Sequence, residues 1–352
     1  MNRRELLALM GSSMAWKALG AGEAPFGRID AHCHIHRSIP ALIDNLEKEN
    51  WHALSICVWE QFEAKMPSES DISNFPGIEE LLAATAKVHR ESRGRIAWAS
   101  TIDAHRFEER HFTERAVAMV KQSFKDEAVG VKIWKTVGMK IRGKDGHYLL
   151  PDDKTLLPVY EAIQKADRTL IMHIAEPDEA WAPELVGYWK RNPQWHADKE
   201  GPDKQTVLQA RDRVLARFPK LRVMGAHLGS NEQDLAALAK RLDAYPNFSV
   251  DMSARTRYLF GDNAEAKRQF VLKYQDRLIY GSDHSIGNSS DEQAARGLLA
   301  AEDREWALFA GNQKVAGRNG GPEIQQMGLP EPVLRKLFRD NARRVIPGIV
   351  PA

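Results

Sequence analysis

Arg28-Ile29-Asp30-Ala31-His32-Cys33-His34-Ile35-His36 is an extended apolar segment that ends in histidines. Side chains on a strand alternate faces, so His32 and His34 project the same way from one rigid edge. Two imidazoles held at a fixed separation make half a metal site, imidazole being a common ligand of zinc and similar ions. Outward from this stretch, short apolar strands alternate with helical stretches. Further strands are expected at 53–59, 95–101, 129–134, 169–175, 221–227, 248–252 and 277–282. Apolar spacing places helices at 40–50, 78–92, 112–124, 157–166, 203–217 and 232–244. Eight strands alternating with helices, each strand apolar almost to its C-terminal end, predict an α/β fold: one parallel sheet closed into a single (β/α)8 TIM barrel. The competing open, doubly wound sheet would carry a glycine-rich phosphate loop after its first strand, and none follows residue 36.

A barrel places its reactive side chains at the C-terminal ends of its strands. His173 stands at the end of strand five, His227 at the end of strand six and Asp283 just past strand eight, joining His32 and His34. Four of the 12 histidines thereby converge with one aspartate on one mouth. Nitrogen and oxygen donors without thiolate suit a catalytic zinc, or manganese or iron, better than a closed structural site. A divalent ion with an open position lowers the pKa of bound water towards ~7 and polarises a carbonyl. Asp283 is then the expected proton acceptor and later donor. His227, where it is not a ligand, would polarise the substrate or steady an oxyanion.

Six motifs carry a likeness to a known family: Asp-Ala-His-Cys-His at 30–34, Val-Lys-Ile at 131–133, Met-His at 172–173, Gly-Ala-His-Leu-Gly at 225–229, Tyr-Gly-Ser-Asp at 280–283, and Phe-Arg-Asp-Asn-Ala-Arg-Arg at 338–344. In these, from first strand to last helix, the chain resembles the amidohydrolase superfamily of metal-dependent barrels, in its amidohydrolase 2 branch. The resemblance implies a hydrolase of a small amide, ester or lactone. A metal-dependent decarboxylase of a small carboxylate is the alternative on the same barrel, and a barrel that binds metal or ligand without catalysis is the alternative of another class. It also implies that His32, His34 and Asp283 hold a first metal, that His173 serves the same or a second metal, and that His227 is a second ligand or an acid/base. Near the end of strand four, Lys132 matches the position where some relatives carry a carboxylated lysine bridging two metals. The other reading is a plain lysine paired with a carboxylate such as Asp251 or Glu176, so one or two ions stay open.

Trp134 shares strand parity with Lys132, and Lys135, Arg142, Glu176, Asp251, Arg255 and His284 are expected to face the same mouth. Lysine or arginine there would suit a substrate carboxylate and Trp134 a planar group, with structural ion pairs as the alternative. Two long loops, 177–202 with Trp181, Tyr188, Trp189 and Trp195, and 287–330, are expected to build or cover the pocket. Those aromatics have other readings, as local loop packing or as a subunit interface, the latter keeping a homo-oligomer open.

With 352 residues, 43% hydrophobic and 28% charged, the composition is that of a globular protein. A net charge of +2 with dispersed cations gives nucleic acid no footprint, which leaves a small molecule as the expected partner. The two cysteines, Cys33 and Cys57, are expected to be buried thiols. Asn2-Arg3-Arg4-Glu5-Leu6-Leu7 opens a weakly apolar run resembling a twin-arginine export signal. On that reading residues 1–24 are removed, 25–352 form the barrel domain, and the product is periplasmic. An attached amphipathic helix on a cytoplasmic protein is the alternative. No later stretch reaches the ~18 apolar residues of a membrane span.

Overall fold

The computed structural model describes residues 24–60, 75–184, 187–287, 289–317 and 321–351. The expected export signal therefore lies outside the described residues, save for Ala24. The main elements run β1 (Arg28–His34), α1 (Pro40–Lys48), β2 (Trp51–Ile56), α2 (Ile78–Glu91), β3 (Ile96–Thr101), α3 (Phe112–Lys125), β4 (Gly130–Ile133), α4 (Leu157–Lys165) and β5 (Thr169–Met172). They continue through α5 (Lys204–Arg217), β6 (Arg222–Gly225), α6 (Leu235–Ala244), β7 (Phe248–Asp251), α7 (Ala264–Lys273), β8 (Leu278–Ile279), β9 (His284–Ser285) and α8 (Asp291–Ala310). Strands β1 to β8 pair in sequence order, every pair parallel.

Beyond β8 the chain runs on into β9, which pairs parallel with β1. Met252 N–H donates to Ile279 O (3.0 Å) on one side of this segment. On the other side Ala31 N–H donates to Tyr280 O (3.0 Å) and Asp283 N–H to His32 O (2.7 Å). The eighth strand is thus bonded to both the seventh and the first, and the sheet closes as the expected (β/α)8 barrel.

The helices form for local reasons and dock by their apolar faces. In α2 the buried Ile78, Leu81, Leu82 and Val88 share one stripe. Asp203 caps α5 by accepting from Thr206 N–H (2.7 Å), and Asp234 caps α6 by accepting from Ala237 N–H (2.8 Å). Inside the ring, Ile29, Leu54, Ala97, Ile171, Met224 and Ile279 pack with Ala342, Val345, Ile346 and Ile349. The C-terminal segment therefore plugs one end of the barrel and leaves the other for chemistry. Both cysteines are buried free thiols, with Cys57 just past the end of β2.

Two expectations are corrected. Residues 287–330 are not mainly a loop: they contain the 20-residue α8, opened by a capping box in which Ser290 accepts from Gln293 N–H while the Gln293 side chain accepts from Ser290 N–H. This helix packs on α1 as the eighth helix of the ring, and no described residue beyond Ser285 lines the cavity described below. The helix α7 went unread because its apolar spacing is weak, with Val271 its one buried residue. Among the described residues no helix is long and apolar enough to cross a membrane.

At the start of β2, burial lowers the pKa of His52 to about 4, with Arg95, Arg339 and Arg343 adding to the effect. The folded pKa lies below the unfolded value of about 6.5, so the unfolded chain binds the extra proton first as pH falls. The stability tied to a neutral His52 is present above about pH 6.5 and is lost as pH falls towards about 4. Replacing His52→Gln should flatten the fall of Tm across that window; an unchanged slope would show that His52 does not contribute to it.

Candidate metal centre

A β-bulge between Asp30 and Cys33 lets Ala31 face the interior cluster while His32, the next residue, turns to the open end. Asp30 holds the bulge: its Oδ1 accepts from His32 N–H and Ser282 N–H (3.0 Å each), and its Oδ2 accepts from Ser282 Oγ–H (2.5 Å). Burial raises the Asp30 pKa to about 7. Gly281 permits the approach of the eighth strand, since a Cβ there would sit 2.8 Å from His32 Cβ.

The expected donors do converge. Nε2 of His34 and Nε2 of His32 lie 3.3 and 3.5 Å from Asp283 Oδ1. His32, His34 and Asp283 together offer donor atoms within 4.8 Å of one another, and His32, His227 and Asp251 form a second such group. The ring of His227 lies 4.9 Å from that of His32 and 4.2 Å from that of His173.

The free nitrogens fit a metal. A hydrogen bond at one ring nitrogen decides which nitrogen keeps a lone pair. His34 Nδ1–H donates to Ile56 O (2.7 Å), His32 Nδ1–H to Asp251 Oδ2 (2.8 Å) and His227 Nδ1–H to Ser253 O (2.9 Å), which leaves all three Nε2 atoms bare. His173 Nε2 is buried without a hydrogen-bond partner, 3.8 Å from Glu176 Oε1. Burial lowers the His173 pKa to about 3 and, with His173 adding to it, carries that of His227 well below the usual range, so both rings are neutral and able to ligate. Burial opposes ionisation of Asp283, but the surrounding histidines, His227 first and then His34 and His32, outweigh it and hold its carboxyl well down.

Two of these residues sit on strained backbone. His227, Leu228, Gly229 and Ser230 form a left-handed turn with φ of 59°, 56°, 58° and 57°, and Asp283 has φ 61°. A left-handed L-residue costs about 1–2 kcal/mol. The turn is held by Arg211 Nη1–H to Gly229 O (2.5 Å), Ser230 Oγ–H to Ala175 O (2.9 Å) and His227 N–H to Asp251 Oδ1 (2.9 Å). Such strain persists where surroundings over-determine a functional position.

Lys132 is buried, its Nζ 3.4 Å from His32 Nε2. Burial lowers its pKa to about 8 against the pull of Asp251 and Asp283. Neither carboxylate offered as its structural partner is free for it: Asp251 is bonded to His32, and Glu176 bridges Lys135 and Arg255 Nη2 (2.7 Å). Arg255 Nε reaches Glu232 Oε1 (3.3 Å), and Lys135 Nζ lies 4.1 Å from the Trp195 ring centroid. Lys135, Glu176 and Arg255 therefore form the ion-paired network that was the alternative to direct carboxylate binding.

A cavity of about 740 Å³ opens over the donors. Trp134, Lys135, Glu176 and Arg255 line it, and so do Tyr188, Trp189 and Trp195 of the 177–202 loop. Arg142, Asp251 and His284 do not. Arg142 bridges Tyr148 in an exposed turn, Asp251 is buried behind His32, and Ser285 takes the position expected of His284. Trp181 packs instead beside Met139 and Ala180. The lining residues Arg257 and Tyr258, and Ser253 behind the histidines, were missed; their place just after β7 was the signal, because β7 ends at this mouth.

No curated protein matches this chain. Among solved structures, 2,6-dihydroxybenzoate decarboxylase from Rhizobium is similar at 14% identity and a TM-score of 0.48, over 91% of this chain and 98% of that one. The 5-carboxyvanillate decarboxylase of Novosphingobium aromaticivorans, solved with bound manganese, gives 11% and 0.49 over 93% and 99%. The 4-oxalomesaconate hydratase of Rhodopseudomonas palustris gives 10% and 0.47 over 92% and 96%. The amidohydrolase family model matches residues 29–348, from the first strand to the barrel plug, and on that match the chain belongs to the amidohydrolase family.

Proposed function

We propose that this protein is a metal-dependent hydrolase of a small amide, ester or lactone. The observation that carries the reading is the convergence of three bare Nε2 atoms and the Asp283 carboxylate on the floor of one cavity. His32, His34 and Asp283 would hold a divalent ion, with His173 completing the set. Nitrogen and oxygen donors favour zinc, with manganese or iron as alternatives. Such an ion supplies Lewis acidity towards a carbonyl and makes water more acidic.

The remaining chemistry falls to the chain. Asp283, held ionised, accepts a proton from the attacking water and returns it to the leaving group. His227 is neutral with Nδ1–H committed to Ser253 O, so its Nε2 begins as a proton acceptor rather than an oxyanion donor. Trp134, Trp195 and Tyr188 wall the substrate, while Glu176, ion-paired with Lys135 and Arg255, forms part of the same wall. About 740 Å³ suits a small molecule.

The test is a panel of small lactones, esters, amides and aromatic carboxylates with both product types followed. Release of acid, alcohol or amine without carbon dioxide is the expected result. Stoichiometric carbon dioxide without hydrolysis would assign decarboxylation instead, and no turnover of any class by the metal-loaded protein would favour a binding barrel.

A further inference from the structure

The carboxylate of Asp251 touches both histidines that flank the centre, yet it lies outside the cavity. Its Oδ1 accepts from His227 N–H (2.9 Å), Ser253 N–H (3.1 Å) and Ser253 Oγ–H (2.5 Å), and its Oδ2 accepts from His32 Nδ1–H (2.8 Å). The one hydroxyl proton of Ser253 is thus committed to Asp251. Towards His32 Nδ1 and His227 Nδ1, each 3.0 Å away, Ser253 Oγ can then act only as an acceptor. Proton counting puts a hydrogen on Nδ1 of both rings, so in the neutral rings both Nε2 atoms are bare.

We propose that Asp251, with Ser253, is the positioning residue of this centre. It sets the tautomer of His32 and clamps the left-handed turn that presents His227, whose own tautomer is set by the main-chain carbonyl of Ser253. The assignment rests on the metal-centre reading for its purpose but not for its geometry. An asparagine at 251 has a single acceptor oxygen. Three donors hold that oxygen on the Oδ1 side, so the amide NH₂ faces His32 Nδ1. His32 would then accept at Nδ1 and carry its hydrogen on Nε2, where it points at the metal position instead of offering a lone pair. Ser253→Ala removes the shared acceptor and one donor to Asp251 Oδ1 but leaves both ring Nδ1–H bonds in place, because Asp251 Oδ2 still receives His32 Nδ1–H and the carbonyl at 253 still receives His227 Nδ1–H.

The experiment combines ring-nitrogen NMR of the histidine-labelled full chain, metal-free at neutral pH, with titration by Co(II) alone. Wild type should show His32 and His227 protonated at Nδ1 and bare at Nε2. Asp251→Asn should reverse the His32 tautomer and weaken Co(II) binding by about 10–100-fold, the range seen when an outer carboxylate is removed. Ser253→Ala should keep both tautomers. Wild-type rings protonated at Nε2 would overturn the proposal, and so would an Asp251→Asn chain with unchanged tautomer and affinity. Should Asp251→Asn not fold, the wild-type tautomers decide alone. Correct tautomers in a wild type that binds no Co(II) would sink the metal reading of the site and leave the positioning role standing.

Discussion

Replacing His32→Ala or Asp283→Asn is expected to abolish turnover and empty the metal site while the barrel stays folded. Both side chains lie at the mouth, whereas the ring is held by strand pairing, by the surrounding apolar core and by the C-terminal plug. The first change removes the bare Nε2 of His32 outright. The second keeps the shape of the Asp283 side chain but removes the charge that the neighbouring histidines favour. Loss of a catalytic acid/base alone costs about 10²–10⁴-fold, and loss of the ion that polarises the carbonyl comes on top. Metal content by elemental analysis, far-UV circular dichroism and product formation separate the cases. Full activity with unchanged metal in either variant would remove these residues from the centre.

The second large effect concerns Lys132 and His227 together. A carboxylated Lys132 would bridge two ions, whereas a plain ammonium 3.4 Å from His32 Nε2 repels a second cation by several kcal/mol at short range. Burial favours the neutral amine, with a pKa of about 8, which is also the form that attacks carbon dioxide. The two groupings of donors differ in kind, however. His32, His34 and Asp283 face the cavity, while Asp251 of the other group is spent on four hydrogen bonds. One metal is therefore the expected stoichiometry. Lys132→Ala should still bind one ion with no response to bicarbonate. His227→Ala should keep the metal and lose about 10²–10⁴ in kcat, as for a lost acid/base. Two ions in wild type that fall to one or none in Lys132→Ala, with reconstitution helped by bicarbonate, would establish the bridge.

Much of the site was legible because a barrel links sequence position to place. A histidine that closes an apolar run, as His173 and His227 do, must emerge at the same rim as the His32 and His34 pair. The ring itself followed from strand and helix alternation. The misread parts have physical reasons. Helix α8 carries charged and apolar residues without a clean stripe, because Glu302 and Glu305 are buried alongside Leu298 and Trp306. Asp251 read as a partner for Lys132, since a sequence cannot show that a bulge at Asp30 turns His32 towards β7. Lys135 and Arg255 read as ligands for a substrate carboxylate because Glu176, which bridges them, sits 41 and 79 positions away.

Chelation tests the central claim most directly. Purified protein stripped of metal should lose product formation on whichever substrate the panel identifies, and should regain it as zinc or manganese is added back to about one ion per chain. A stripped protein, verified metal-free, that turns over that substrate at the full rate would contradict the account.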